Sequence, residues 1–124
     1  MIFPAISIRQ PWAWAILQTD KDVENRTWPL PKKFIGKPVL IHTGKRIEHE
    51  DVQHLLSLGY KVPRDLETGG IVGNLEFKSW SRSSTSTWAV DDACHWHIKR
   101  AAPLQFFPCP GRLGFFEVDY PYEV

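Results

Sequence analysis

The sequence predicts an α+β protein, a small β-barrel of five to six strands flanked by two or more helices. Two observations lead to this fold class. Strand-like segments, either alternating or rich in apolar residues, recur along the chain, whereas only two segments show clear helical spacing. The 124 residues also fit a single domain, 1–124, and closing one small sheet into a barrel removes its exposed edges.

A first strand and a first helix are predicted near the N-terminus. Residues 5–8 (AISI) have the apolar, β-branched content of a short strand. Pro11 suits the first turn of a helix, where its missing N–H and its fixed φ are tolerated. The helix is expected to end near Thr19. Its predicted buried face follows the spacing i, i+3 and i+4, and comprises Trp12, Ala15 and Ile16.

Two strands and a second helix follow. Residues 21–28 alternate as an extended segment, and residues 38–45 (PVLIHTGK) have the apolar content of a buried strand. Residues 47–58 predict a helix, because acidic residues occupy its start and Gly59 is placed to end it. Its helically spaced apolar residues are Val52, Leu55 and Leu56.

The second half of the chain is dominated by strand patterns. Residues 69–80 (GGIVGNLEFKSW) alternate, with Ile71, Leu75 and Phe77 on the face predicted to be buried. Residues 81–87 (SRSSTST) lack core-forming side chains and predict a flexible surface loop. Two further strands are expected within 96–107 and 112–120.

The charge distribution is uneven although the formal net charge is only +1. No acid occurs from Arg26 to Arg46, whereas six cations do: Arg26, Lys32, Lys33, Lys37, Lys45 and Arg46. This run indicates either a solvated loop and strand edge or a surface that faces phosphates. The N-terminal segment resembles no signal peptide, so we expect a cytoplasmic protein with Cys94 and Cys109 reduced and no membrane contact.

Several kinds of chemistry find no support in the sequence. There is no glycine-rich phosphate loop, and no serine or cysteine stands in a recognisable triad context. Residues 91–97 (DDACHWH) contain metal-ligand residue types in a spacing that matches no zinc pattern, so neither metal nor cofactor is predicted. Lys21, Glu24 and Arg26 stand out, because an acid between two cations can fix them towards a ligand; a surface ion pair is the plain alternative.

Three segments in this order, 7–17 (SIRQPWAWAIL), 21–28 (KDVENRTW) and 39–45 (VLIHTGK), resemble the ASCH domain of the PUA-like superfamily. The family's G-x-K-x-x-E-x-R pattern falls on Lys21, Glu24 and Arg26. Thr19 stands where that pattern has glycine. The family's Q-P-W opening falls on Gln10, Pro11 and Trp12.

The resemblance implies a PUA-like barrel with a cleft beside the Lys-Glu-Arg strand, and a nucleic-acid partner, RNA rather than DNA. The expected ligand-binding residues are Gln10, Trp12, Lys21, Glu24, Arg26, Trp28, His42 and Lys45. The expected phosphate contacts are Lys32, Lys33, Lys37 and Arg46. Each of the two tryptophans is either a core residue or an aromatic wall for a base; the core is favoured for Trp12 and neither reading for Trp28.

Some small members of the superfamily resemble enzymes, so a hydrolase acting on RNA or on a modified nucleoside is the alternative function. Lys21 and His42 are then the candidate acid or base. The acetylcytidine amidohydrolase activity of one such type is not transferred, because Glu24 stands where that type has a threonine and a carboxylate cannot replace a hydroxyl nucleophile. A domain whose cleft binds a partner protein is the third alternative, and the oligomeric state is left open.

Overall fold

Two helices and six strands, joined into one sheet, make up the computed structural model, which describes residues 1–124. The strands are β1 (Ile2–Ser7), β2 (Val23–Arg26), β3 (Pro38–Thr43), β4 (Gly70–Ser81), β5 (Cys94–Pro108) and β6 (Phe115–Asp119). The helices are α1 (Trp12–Gln18) and α2 (His49–Ser57), and a short 3-10 turn spans Lys32–Phe34. The predicted α+β class is confirmed.

The sheet has the strand order β2-β5-β4-β3-β1-β6, and all neighbours are antiparallel except the parallel pair β1 and β3. It curls into a half-barrel, which brings its two edge strands towards each other. Phe115 of β6 lies 6.0 Å, centroid to centroid, from Trp28, which follows β2 at the opposite edge. Curling therefore makes neighbours of β1, β6 and β2, although the strand order places β2 at the other end of the sheet.

Apolar clusters cover both faces of the sheet. The larger cluster fills the concave side and includes Ile6, Ile41, Leu75, Phe77 and Trp96. A second cluster, centred on Ala5, Leu40, Ile71, Val118 and Tyr120, lies on the other face. The alternation predicted for β4 is confirmed for Leu75 and Phe77, which are buried in the larger cluster. It is wrong for Ile71, which is buried on the other face because a β-bulge shifts the register between Ile71 and Gly73.

The predicted burial of the two helices is correct only in part. In α1, Ala15 and Ile16 are buried as expected, whereas Trp12 is half-buried and Ala13 takes its place in the core. In α2, only Leu55 is buried, and Leu56 is 43% exposed. A short helix on the surface buries only a narrow stripe of its side chains, so the neighbouring apolar position faces water. No helix is long and apolar enough to cross a membrane.

Candidate functional site

A cleft of about 840 Å³ opens beside β2, at the end of the half-barrel where β1 ends. Its floor is formed by β2 together with Ser7 and Ile8, one wall by α2, and the opposite wall by residues 87–90. Lys21, Glu24 and Arg26 all line this cleft. Glu24 and Arg26 share one face of β2, whereas Lys21 precedes the strand and reaches the same cleft from outside its alternation.

Glu24 and Arg26 form the rigid part of the site. They alternate onto the face of β2 that also carries Trp96 of the neighbouring strand, so both side chains point over the end of the barrel. Arg26 Nε donates to Glu24 Oε2 at 2.9 Å, and Arg26 Nη2 donates to the carbonyl oxygen of Ser7 at 2.7 Å. The Arg26 side chain therefore spans the gap between β2 and β1, which share no ladder of main-chain hydrogen bonds.

Lys21 is buried in the wall of the cleft, with only 6% of the residue exposed. Its Nζ donates to the carbonyl oxygen of Val23 at 2.7 Å and lies 5.2 Å and 5.6 Å from the ring centroids of Trp12 and Trp88. Burial lowers the pKa of Lys21 below its ordinary value of 10.5, and the nearby carboxylates of Glu24 and Asp22 offset this effect in part. Two of the three ammonium hydrogens have no acceptor in the protein and can bind a ligand.

The wall formed by α2 was not identified from the sequence. Glu48, Asp51, His54 and Leu58 line the cleft at intervals of three or four residues, which is the spacing of one helical face. Trp12 Nε1 donates to Asp51 Oδ2 at 3.0 Å, so α2 also holds the indole that covers Lys21. The polar i, i+3 spacing was visible in the sequence, but nothing in it showed that α2 folds over β2.

The wall at residues 87–90 is attached to β2 by the side chain of Asn25. Its amide Nδ2 donates to the carbonyl oxygen of Trp88 at 3.0 Å, and its Oδ1 accepts from the main-chain N–H of Val90, also at 3.0 Å. The carbonyl oxygen of Val90 accepts a further bond from His95 Nε2. The preceding residues 82–86 have no regular structure, as expected for a loop, but Ser86 donates to Asp22 at 2.5 Å and ties that loop to β2.

The aromatic residues of the site differ from the sequence-based expectation. Trp12, for which the core was favoured, lines the cleft, whereas Trp28 does not. Trp28 packs edge-on against Trp96, with ring centroids 4.6 Å apart, and its carbonyl oxygen accepts from the indole N–H of Trp96. Trp88, which no motif indicated, supplies the second indole of the cleft.

Gln10 and His42 lie behind the cleft rather than in it. Gln10 is buried; it accepts from the main-chain N–H of Trp14 and donates to the carbonyl oxygen of Glu67, which fixes the start of α1. His42 is also buried, and its Nε2 donates to the carbonyl oxygen of Cys109 at 2.9 Å. Its Nδ1 then accepts from the hydroxyl of Ser7 at 2.9 Å, so both ring nitrogens are already paired.

The cations of the 26–46 run are dispersed in the structure. Arg26 is the only one of the six that lines the cleft. Lys32, Lys33 and Lys37 are exposed around the 3-10 turn, and Lys45 and Arg46 are exposed just before α2. Within the cleft, three cations (Arg9, Lys21 and Arg26) face three acids (Glu24, Glu48 and Asp51), so the lining is balanced in charge.

Residues 91–97 supply packing rather than a ligand set. Cys94 and Trp96 belong to the larger apolar cluster, and His95 alternates to the other face of β5. No group of three or more His, Cys, Asp or Glu side chains is arranged to hold a metal ion. Both cysteines are free thiols.

In comparisons with known proteins, no family model and no curated protein matches this chain.

Proposed function

We propose that this chain is an ASCH-like domain, with a PUA-like half-barrel, that binds one nucleotide of an RNA strand in the cleft beside β2. The observation that carries the proposal is the position of Lys21. Its ammonium is held between two indoles on the wall of the cleft, next to a Glu24–Arg26 pair that is itself tied to β1. A cation, a carboxylate and a second cation thus face the same space.

The size and chemistry of the cleft support a single nucleotide rather than a strand lying in a groove. Pockets for small ligands typically measure about 300–1,000 Å³, and the volume of about 840 Å³ falls in that range. A base edge combines donors and acceptors, which Lys21, Arg26 and the unpaired Oε1 of Glu24 can complement. A groove built for the phosphate backbone alone would be strongly basic, whereas this lining is balanced.

A hydrolase acting on a modified nucleoside is the second candidate, and one observation favours it. The pKa of Lys21 is lowered by burial, in a cleft and beside a carboxylate, and such a perturbed lysine can exchange a proton near neutral pH more readily than an exposed one. His42 is a weaker candidate for acid or base, because both its ring nitrogens are paired within the protein and it does not line the cleft.

Calorimetric titration with single nucleosides, and with matched RNA and DNA oligonucleotides, tests the proposal. Lys21→Met should abolish measurable nucleoside binding, whereas Lys45→Met, which removes an exposed cation outside the cleft, should leave it unchanged. RNA should bind more tightly than DNA of the same sequence. Equal nucleoside affinity for Lys21→Met and the unmodified protein would refute the cleft assignment.

The hydrolase alternative needs a separate readout. The protein is incubated with a panel of modified nucleosides and short RNA strands, and the products are identified by mass. Product formation that disappears in Lys21→Met but persists in Lys45→Met would establish the enzyme. Binding without any product would leave the domain as a reader of RNA.

A further inference from the structure

Cations that are distant in sequence gather on one face of the protein, away from the α2 side of the cleft. The short strand-like segment that follows the 3-10 turn joins the sheet at β4, because Gly36 N–H donates to the carbonyl oxygen of Phe77 and Ile35 bridges to Phe77. Pro38 pairs with Glu76, and Glu76 pairs with Arg100. This register places the segment around residue 36, the middle of β4 and the middle of β5 side by side.

We define the basic face as the exposed cations carried by these three segments and by the 3-10 turn that precedes the first of them: Lys32, Lys33, Lys37, Lys78, Lys99 and Arg100. Neighbouring strands lie about 4.8 Å apart, so the three segments span only about 10 Å across the sheet. Glu76 is the acid within this face, and both Lys99 (3.9 Å) and Arg100 (3.0 Å) contact its Oε2. Asp22 lies at its border, since the main-chain oxygen of Asp22 accepts from the N–H of Ile98.

The basic face concentrates charge far beyond the protein's average. Six cations against one acid leave it with a net charge of +5, while the remainder of the chain, with nine cations and thirteen acids, carries −4. Such an asymmetry creates a local potential that attracts polyanions even though the whole protein is almost neutral. The sequence run from Arg26 to Arg46 contributes three of these cations, and tertiary pairing adds Lys78, Lys99 and Arg100.

We propose that the basic face binds the phosphate backbone of the RNA strand whose single nucleotide occupies the cleft. The two surfaces adjoin, because Asp22 follows Lys21 of the cleft and hydrogen-bonds to Ile98, next to Lys99. The inference rests on the proposed function for its ligand. In this arrangement the cleft contacts a base, and the basic face contacts the phosphates on either side of that base in the strand.

Salt dependence of binding tests the basic face directly. A single strand of about eight nucleotides, labelled for fluorescence anisotropy, suits a site of this size. If about three of the six cations contact phosphates at once, log affinity should fall with log salt at a slope of about −2, because each neutralised phosphate contributes about 0.7. The affinity should then drop about 18-fold between 50 and 200 mM salt.

Two double variants separate the basic face from the sequence run. Lys78→Ala/Lys99→Ala removes two phosphate contacts and should flatten the slope to about −0.7, so that the same change in salt weakens binding only about 2.6-fold. Arg100 remains to pair with Glu76, and the thermal midpoint of the variant checks that the fold is kept. Lys45→Ala/Arg46→Ala removes the same charge from exposed positions outside the face and should leave the slope unchanged.

A slope that is unaffected by Lys78→Ala/Lys99→Ala, or that is flattened by Lys45→Ala/Arg46→Ala instead, would overturn the inference. Nucleoside affinity, measured in parallel, should be the same in both variants, because neither pair lines the cleft. If the unmodified protein binds no nucleoside but its binding to the strand depends on Lys78 and Lys99, the proposed function of the cleft is refuted and the basic face is retained. Binding to vesicles of anionic lipid that is weakened by Lys78→Ala/Lys99→Ala, together with no binding to RNA, would refute RNA as the ligand of the basic face.

Discussion

Glu24 and Glu76 provide a paired test of how the cleft works. Each carboxylate accepts a hydrogen bond from an arginine Nε, at 2.9 Å from Arg26 and 3.0 Å from Arg100, and each loses one negative charge when changed to glutamine. Glu24 holds Arg26 in the cleft, whereas Glu76 lies within the basic face and lines no part of the cleft. Simple attraction of an anionic ligand predicts that both changes strengthen binding.

The structure instead predicts opposite results for the two variants. A hydrogen bond to a charged group contributes about 1.5–3 kcal/mol, and a neutral one about half of that, so Glu24→Gln weakens the hold on Arg26 by about 1.1 kcal/mol. Nucleoside affinity should therefore fall about sixfold in Glu24→Gln. Glu76→Gln should leave nucleoside affinity unchanged. It should tighten strand binding only about twofold, since a strand on the basic face lies in solvent, where charge interactions are screened.

Calorimetry with a nucleoside and anisotropy with a labelled strand measure the two effects, at the same salt concentration for both variants. The side chain of Glu24 is 9% exposed and that of Glu76 is 12% exposed, so burial does not distinguish them. Nucleoside binding by Glu24→Gln that equals or exceeds that of the unmodified protein would mean that the carboxylate does not position Arg26 for the ligand. The positioning role of Glu24 would then be rejected.

Three further predictions concern the fold around the site. The pKa of Lys21 is lowered in the folded protein, so the unfolded chain binds the lysine proton more tightly. The unfolding free energy of the unmodified protein, relative to that of Lys21→Met, should therefore rise as pH increases from neutral towards 10.5. Denaturant unfolding at a series of pH values measures this difference, and a difference that does not change with pH would contradict the prediction. Trp28→Ala should cost about 3 kcal/mol of stability, because it opens a cavity beside Trp96. The nucleoside affinity of the folded protein should not change. A loss of nucleoside affinity without a loss of stability would instead show that Trp28 stacks on the base. Gly111→Ala would place a Cβ 2.6 Å from His42 Cε1 and 3.0 Å from Ser7 Oγ, and thermal unfolding should show a loss of about 1–3 kcal/mol.

The alternation of residues along the chain predicted the strands and placed Glu24 and Arg26 on one face of β2, whereas strict alternation would place Lys21 on the opposite face. Local periodicity determines which side chains share a face, because the twofold repeat of a strand is a property of the backbone itself. Lys21 does not follow this repeat, because it precedes the first residue of β2 and its ammonium turns back to the carbonyl oxygen of Val23. In β4 the repeat predicted the shared face of Leu75 and Phe77, but not the β-bulge that moves Ile71 to the other face. The buried face of α2, a short helix at the surface, could not be predicted.

The tertiary structure alone decided which residues complete the site. Trp88 reaches Lys21, and Asp51 reaches the indole of Trp12 beside it, from a loop and a helix that are 30 or more positions away from Lys21 in sequence. Only the curling of the sheet and the docking of α2 bring them there. The folding of the sheet also separates the six cations found between Arg26 and Arg46 in the sequence. It brings the strands that carry Lys78 and Lys99 next to the segment that carries Lys37. Long-range pairing depends on the register and closure of the whole sheet, which no local pattern encodes. The sequence thus determined the chemistry that β2 carries, and the fold determined what surrounds this edge strand.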